Sequence, residues 1–400
     1  MNSKDFIGPN GPTDNDFYLY TMKAAVFHWY PDVSFEKAYT CRTQGISHDF
    51  LKEYLDREIK RISTFKHSPE DIEFLSNIKT PVFKNGYLRF LENQTWNAND
   101  VSFKFLDNGD LDLRIKSPWL NGMDWELYLL PVISESWTRH NMSINCIAID
   151  QIIEYNLKNL KIKLDLLKKE APELKFIDMG TRRRAHRLIQ KINLRYIMQQ
   201  HPDCLAGTSN VMLAKDLNLK VFGTHAHEWD QAHLAFAHPL KAKQLAMLRW
   251  MQTFDGDCGI CLTDTFTTKH FLTIFNKLLA NAYTGLRHDS GPWDVWAKNM
   301  LNHYRKLGVD PKTKTLVFSD SLDFPKMIEI YNSLKDYCKV GFGIGTNLMN
   351  DVCDLWKALS IVIKMTKCDG IDVLKISDCP EKTMCENEAL KYYAFDVFGV

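Results

Sequence analysis

In this 400-residue chain, short apolar runs end repeatedly in compact clusters of polar residues or glycine. In chain order the clusters are Gly180-Thr181-Arg182-Arg183-Arg184, Gly207-Thr208-Ser209-Asn210, Thr224-His225-Ala226-His227-Glu228-Trp229, Thr263-Asp264-Thr265, Arg287-His288-Asp289-Ser290-Gly291, Ser319-Asp320-Ser321, Gly343-Ile344-Gly345-Thr346-Asn347 and Ser377-Asp378. The arginine triplet stands where a helix is expected to begin, and the positive end of the helix dipole disfavours cations there. An anion removes that conflict, and backbone N–H groups beside guanidinium groups make a phosphate cradle; the plainer reading is a solvated basic face. Asp264, Asp289 and Asp320 can hold Mg²⁺ or hydrogen-bond sugar hydroxyls, and each alone can simply cap the following helix. An isolated histidine is more often structural than catalytic, but His227 has Glu228 beside it and Trp229 as an apolar wall.

Placing these groups requires elements that bring their ends together. From about residue 175 the apolar runs are 175–179, 204–206, 220–223, 259–262, 285–287, 315–318, 339–342 and 373–376, separated by amphipathic segments such as Ala185, Leu188, Ile189 and Ile192 at helical spacing. Repeated strand-helix units argue a parallel sheet, and about eight of them suggest closure into a barrel. The fold class expected is therefore α/β, an irregular parallel (β/α) barrel whose strand C-terminal ends gather the clusters on one face. Barrel phosphate sites often use the loops after strands seven and eight, so Gly343-Ile344-Gly345-Thr346 is the preferred seat for a terminal phosphate.

The first third differs. Phe103 and Phe105, then Leu111, Leu113 and Ile115, alternate with polar residues around Asn108-Gly109, which predicts a hairpin. Asn85-Gly86 reads as another turn, and 16–30 and 48–65 carry helical spacing. The expected division is an N-terminal α+β domain, 1–135, completed by 379–400, and a barrel domain, 136–378.

A formal net charge of +1 creates no global field for nucleic acid or an anionic membrane. No apolar stretch approaches the ~18 residues of a membrane span, and the start lacks signal or transit patterns. The ten cysteines are scattered, which predicts reduced thiols in a cytoplasmic protein; Cys258 and Cys261 have no second pair to complete a zinc site.

At these residues the sequence resembles the nicotinate phosphoribosyltransferases, from Asp16-Phe17-Tyr18 nearly to the C-terminus. The motifs are Thr181-Arg182-Arg183-Arg184, Gly207-Thr208-Ser209-Asn210, Ala226-His227-Glu228-Trp229, Gly285-Leu286-Arg287-His288-Asp289-Ser290-Gly291, Phe342-Gly343-Ile344-Gly345-Thr346-Asn347, Ser377-Asp378 and Lys382-Thr383-Met384. The resemblance implies an irregular type II phosphoribosyltransferase barrel and a homodimer with shared active sites. It also implies synthesis of nicotinate mononucleotide from nicotinate and phosphoribosyl pyrophosphate, coupled to ATP hydrolysis, within NAD biosynthesis. On that pattern His227 is transiently phosphorylated by ATP, and Gly343, Gly345 and Thr346 receive the ribosyl phosphate. Arg182 and Arg287 counter negative charge, Asp289 and Asp320 address ribose hydroxyls, and Asp264 sits near Mg²⁺-pyrophosphate as a metal contact. Tyr18, reaching across the dimer, stacks on the pyridine ring; Met179 contacts it from the second side, and Thr208 and Ser209 line the substrate site.

Related enzymes commonly carry an aromatic residue in place of Met179 and an acidic one in place of Pro292. Ser209 is neutral where nicotinamide-using relatives carry an acid, which predicts preference for nicotinate. His225-Ala226-His227 also suggests a rival, a metal-dependent amidohydrolase, although there the pair normally follows the first strand. A catalytically silent phosphate-sensing barrel is the third reading.

Overall fold

The computed structural model describes residues 6–352, 355–378, 383 and 385–400, so Lys382 and Met384 lie outside the described residues. Among the described residues eleven strands form two sheets: β1 Ser34–Cys41, β2 Val101–Phe105, β3 Leu111–Pro118, β4 Phe176–Asp178, β5 Leu205–Thr208, β6 Ile260–Leu262, β7 Gly285–His288, β8 Thr315–Phe318, β9 Lys339–Ile344, β10 Ile361–Cys368 and β11 Ile371–Asp372. The first sheet is antiparallel, in the order β11-β10-β1-β3-β2. Its expected hairpin pairs Phe103 with Leu113, and Gly109, at φ 85°, takes the left-handed conformation that the turn requires.

Two expectations for this half are corrected. Asn85-Gly86 opens a helix, Asn85–Asn93, because Tyr87, Leu88 and Leu91 bury one helical face. The chain also rejoins the antiparallel sheet through β10 and β11, which lie inside the segment expected to belong wholly to the barrel. Ile361, Ile363 and Met365 alternate with less buried residues, so β10 fits between β1 and β11 as a half-buried strand. The terminal helix Glu388–Phe398 instead packs Ala394 and Phe398 with Ala242, Phe266, Leu374 and Ile376, on the parallel-sheet side.

The second sheet is parallel, in the order β5-β4-β9-β8-β7-β6. Six of the eight expected runs are strands. The third run attaches beside β5 by a single parallel bridge, Thr208 to Val221. The eighth attaches beyond β6, where Ile376 N–H donates to the Thr265 carbonyl at 3.0 Å. Counted along the chain, the spatial order is third, second, first, seventh, sixth, fifth, fourth, eighth. The first strand thus meets the seventh directly, and the eighth run is displaced to the far edge. Trp119, Trp125, Trp229 and Trp250 are all fully buried in one core that spans both sheets. Among the described residues no helix is long and apolar enough to cross a membrane.

Candidate active site

His227 is the first residue of the helix His227–Ala232, placed there by the loop that follows the third run. Its Nε2 lies 2.9 Å from Asp264 Oδ1, just after β6, and 3.7 Å from Asp289 Oδ2, just after β7. Lys375, inside the eighth run, brings Nζ to 2.9 Å from both His227 Nε2 and Asp264 Oδ2. Ser290 Oγ donates to Asp264 Oδ2 at 2.7 Å, and Ser319 Oγ to Asp289 Oδ1 at 2.8 Å. Arg287, within β7, sits 3.5 Å from Asp289 Oδ1.

Charge in this cluster sets the protonation states. Burial, then the Lys375 ammonium, holds the His227 imidazole below its ordinary value. Burial alone would raise Asp264, but Lys375 and His227 overrule it and keep the carboxylate well below the usual range. Asp289 is lowered likewise, with burial opposed by Arg287, His227 and Lys375. His227 Nε2 stands between the Asp264 carboxylate, an acceptor, and Lys375 Nζ, a donor; in the tautomer that carries Nε2–H it donates to Asp264 and Nδ1 keeps its lone pair.

His227, Asp264 and Asp289 bring one potential ligand atom each within 4.8 Å of one another. Two carboxylates suit a hard Mg²⁺ ion, imidazole suits it less, and Asp264 already receives three donors. Asp289 and Asp264 are therefore the residues that could hold a hard divalent cation, Asp289 being the less engaged of the two.

The arginine triplet divides. Arg184 is fully buried, with ion pairs to Asp14 at 2.7 Å and Glu135 at 2.8 Å. The Arg183 guanidinium donates to the Ile361 carbonyl at 2.9 and 3.2 Å, clamping the start of β10. Arg182 is partly exposed, its guanidinium 5.6 Å from the centre of the Tyr18 ring and its Nε 3.4 Å from Asp16 Oδ2. The expectation of a three-arginine phosphate cradle is corrected on this point: two of the three charges are spent on the fold.

The profile of the nicotinate phosphoribosyltransferase (NAPRTase) family matches residues 174–400, and that of the family's N-terminal domain matches residues 13–134. The chain belongs to the nicotinate phosphoribosyltransferase family. It is 38% identical over 393 residues to the nicotinate phosphoribosyltransferase of Ectopseudomonas mendocina, covering 97% of this chain and 96% of the relative. The crystal structure of nicotinate phosphoribosyltransferase from Vibrio cholerae superposes with a TM-score of 0.92 at 34% identity, covering 99% of this chain and 94% of that one. The enzyme from Porphyromonas gingivalis gives 0.90 at 31% identity, covering 98% and 100%.

In this phosphoribosyltransferase chain the remaining expected site residues have distinct fates. Tyr18 lies against Arg182 of its own chain, in the first turn of the helix Phe17–Trp29, and Gly223 lets it approach: a Cβ there would stand 2.4 Å from the Tyr18 nitrogen. Thr208 Oγ1 donates to buried Asp178 at 2.7 Å, and Ser209 Oγ to Asp16 at 2.7 Å. A Cβ on Gly343 would stand 2.3 Å from Met179 Sδ, so the methionine side chain covers that glycine. Gly345 has φ −112°, not a left-handed value, and its close neighbour is the Met179 carbonyl, 3.2 Å from where a Cβ would be. Thr346 opens the single turn Thr346–Met349.

Asp320 follows β8 and takes a hydrogen bond from Ser321 Oγ at 3.2 Å, outside the group formed by His227, Asp264 and Asp289. The third partner of the acid pair is thus His227, not Asp320. The amidohydrolase alternative fails on His225. Its ring packs 4.7 Å from Trp250 and lies 3.9 Å from Asp230, outside the group of His227, Asp264 and Asp289, and burial pushes it down to about 3. Sequence reasoning missed Lys375 and Asp16. Lys375 was hidden as one charge in an apolar run, and Asp16 as the residue preceding a helix.

Proposed function

We propose that this enzyme transfers the phosphoribosyl group of phosphoribosyl pyrophosphate to the ring nitrogen of nicotinate, giving nicotinate mononucleotide and pyrophosphate for NAD synthesis. ATP hydrolysis drives the turnover through a phosphohistidine at His227. The observation that carries this reading is the His227–Asp264–Lys375 cluster: a neutral imidazole held through Nε2 and flanked by an ammonium suited to phosphate oxygens. Nδ1 attacks the γ-phosphorus, the bond to the ADP oxygen breaks, and ADP leaves; water later cleaves the P–N bond and releases phosphate.

Loss of pyrophosphate leaves an oxocarbenium-like ribosyl centre, and the pyridine nitrogen is already unprotonated, so charge clamps matter more than a general base. Arg182 addresses the nicotinate carboxylate against the Tyr18 ring, while Arg287 and Asp289 address the phosphoribosyl side. Asp289 and Asp264 would hold Mg²⁺, which supplies neutralisation of the pyrophosphate charge. Gly345 and Thr346 face the ribosyl phosphate.

The barrel reading is kept in a modified form. The third and eighth runs border the open edge of the sheet, and the contact of His227 with Lys375 spans it through side chains. We place the enzyme in the cytoplasm because Cys204, Cys261, Cys338 and Cys368 are buried free thiols, the state of a reducing compartment. A homodimer is the assembly that the resemblance implies, and light scattering tests it.

The test of the phosphoryl step is His227→Asn. The variant is expected to lose ATP hydrolysis and the alkali-stable, acid-labile label from γ-labelled ATP, while a slow ATP-independent synthesis of nicotinate mononucleotide persists. Labelling of the variant at the wild-type level would exclude His227 as acceptor.

A further inference from the structure

We infer that Asp16 is a positioning residue for substrate recognition, holding the Nε edge of Arg182 so that the opposite edge of the guanidinium fork meets the nicotinate carboxylate. The inference rests on the reading of Arg182 given under the proposed function. Asp16 is 2% exposed and held in place: Ser209 Oγ donates to Oδ1 at 2.7 Å, its own N–H donates to Asn15 Oδ1 at 2.9 Å, its backbone bridges Asn210, and the next residue, Phe17, donates its N–H to the Ser209 carbonyl at 2.7 Å. Arg182 is the opposite case. Its side chain is 39% exposed, and its placement rests on Asp16 Oδ2 at 3.4 Å and the Tyr18 ring.

A long side chain that must be ordered on binding loses rotamer freedom, and a pre-set guanidinium avoids much of that loss. Bidentate recognition of a carboxylate uses one edge of the fork, so a partner on the Nε side fixes orientation without occupying both terminal nitrogens. Burial raises the proton affinity of Asp16, which softens its repulsion of an anionic substrate.

This revises the role of Ser209. The hydroxyl is spent on Asp16 rather than on the substrate, so it acts through Asp16 and Arg182. The pocket does contain a carboxylate, and selectivity for the acid depends on that carboxylate being engaged by Ser209 and Arg182.

The experiment compares steady-state kinetics of Asp16→Asn, Ser209→Ala, the double variant and Arg182→Lys, with nicotinate, phosphoribosyl pyrophosphate and nicotinamide each varied. Asp16→Asn is expected to raise the nicotinate KM about five- to tenfold, the cost of ordering one long side chain. Neither kcat nor the phosphoribosyl pyrophosphate KM should follow, and the preference for nicotinate over nicotinamide should fall. Ser209→Ala should move the same constants less and add little in the Asp16→Asn background. If Arg182→Lys leaves the nicotinate KM unchanged, the carboxylate is not read by Arg182, and both readings fall. If Arg182→Lys raises that KM while Asp16→Asn and Ser209→Ala leave it unchanged or lower it, Arg182 stands and the positioning role of Asp16 is overturned. Equal increases in both substrate KM values, with a lowered thermal midpoint, would mark Asp16 as merely structural and overturn it too.

Discussion

Replacing Lys375 by methionine keeps the aliphatic stem and removes one charge from a site where the side chain is 7% exposed. Nζ stands 2.9 Å from His227 Nε2, where two unit charges at an effective dielectric of about 20 repel by about 6 kcal/mol. That is an upper bound, because His227 is 16% exposed and Asp264 lies against both groups. A net effect on the order of 1–3 kcal/mol remains, a factor of about ten to a hundred in proton affinity. The sign follows from the cause: burial and then Lys375 hold the folded-state value of His227 down, so losing the ammonium raises it. Asp264, freed of one cation, then pairs with an imidazolium, which adds to the effect in the same direction. The variant should carry protonated, non-nucleophilic His227 to higher pH. Initial rates of alkali-stable labelling from γ-labelled ATP, followed from acid to alkaline pH, should show the acid limb moved upward. The loss should approach about ten- to a hundredfold at acid pH, where His227 is protonated in both proteins, and should fade toward alkaline pH. An acid limb that stays in place or moves to lower pH would refute the reasoning, because the ammonium would then not be governing the imidazole.

Arg184→Ala should leave Asp14 and Glu135 buried without their cation and cost about 3–5 kcal/mol, whereas Arg182→Ala should change stability by less than about 1 kcal/mol and mainly impair nicotinate use. Thermal and urea unfolding check this pair, and an Arg184→Ala protein as stable as wild type would contradict it. Gly345→Val should press its new side chain on the Met179 carbonyl and raise the phosphoribosyl pyrophosphate KM by about tenfold, with the fold retained. Unchanged affinity in a well-folded variant would place the phosphate elsewhere.

The sequence by itself determined where chemistry could lie. Polar clusters after short apolar runs are a local signal, and His227, Asp264 and Asp289 were legible because each closes such a run and the runs belong to one sheet. The hairpin around Asn108-Gly109 and the helix Phe17–Trp29 were legible for the same reason, since period and turn chemistry act within a dozen residues. Only the tertiary structure decided which identical neighbours would do different work. Arg182, Arg183 and Arg184 are indistinguishable as a triplet, and their fates depend on Asp16, the Ile361 carbonyl, and Asp14 with Glu135, partners distant in the chain. The same holds for Lys375, whose charge has meaning only beside His227, and for β10, whose alternation does not say which sheet it enters. Strand order and long-range ion pairs are chosen by global packing, where many registers satisfy the local pattern and one buries the apolar faces and pairs the buried charges.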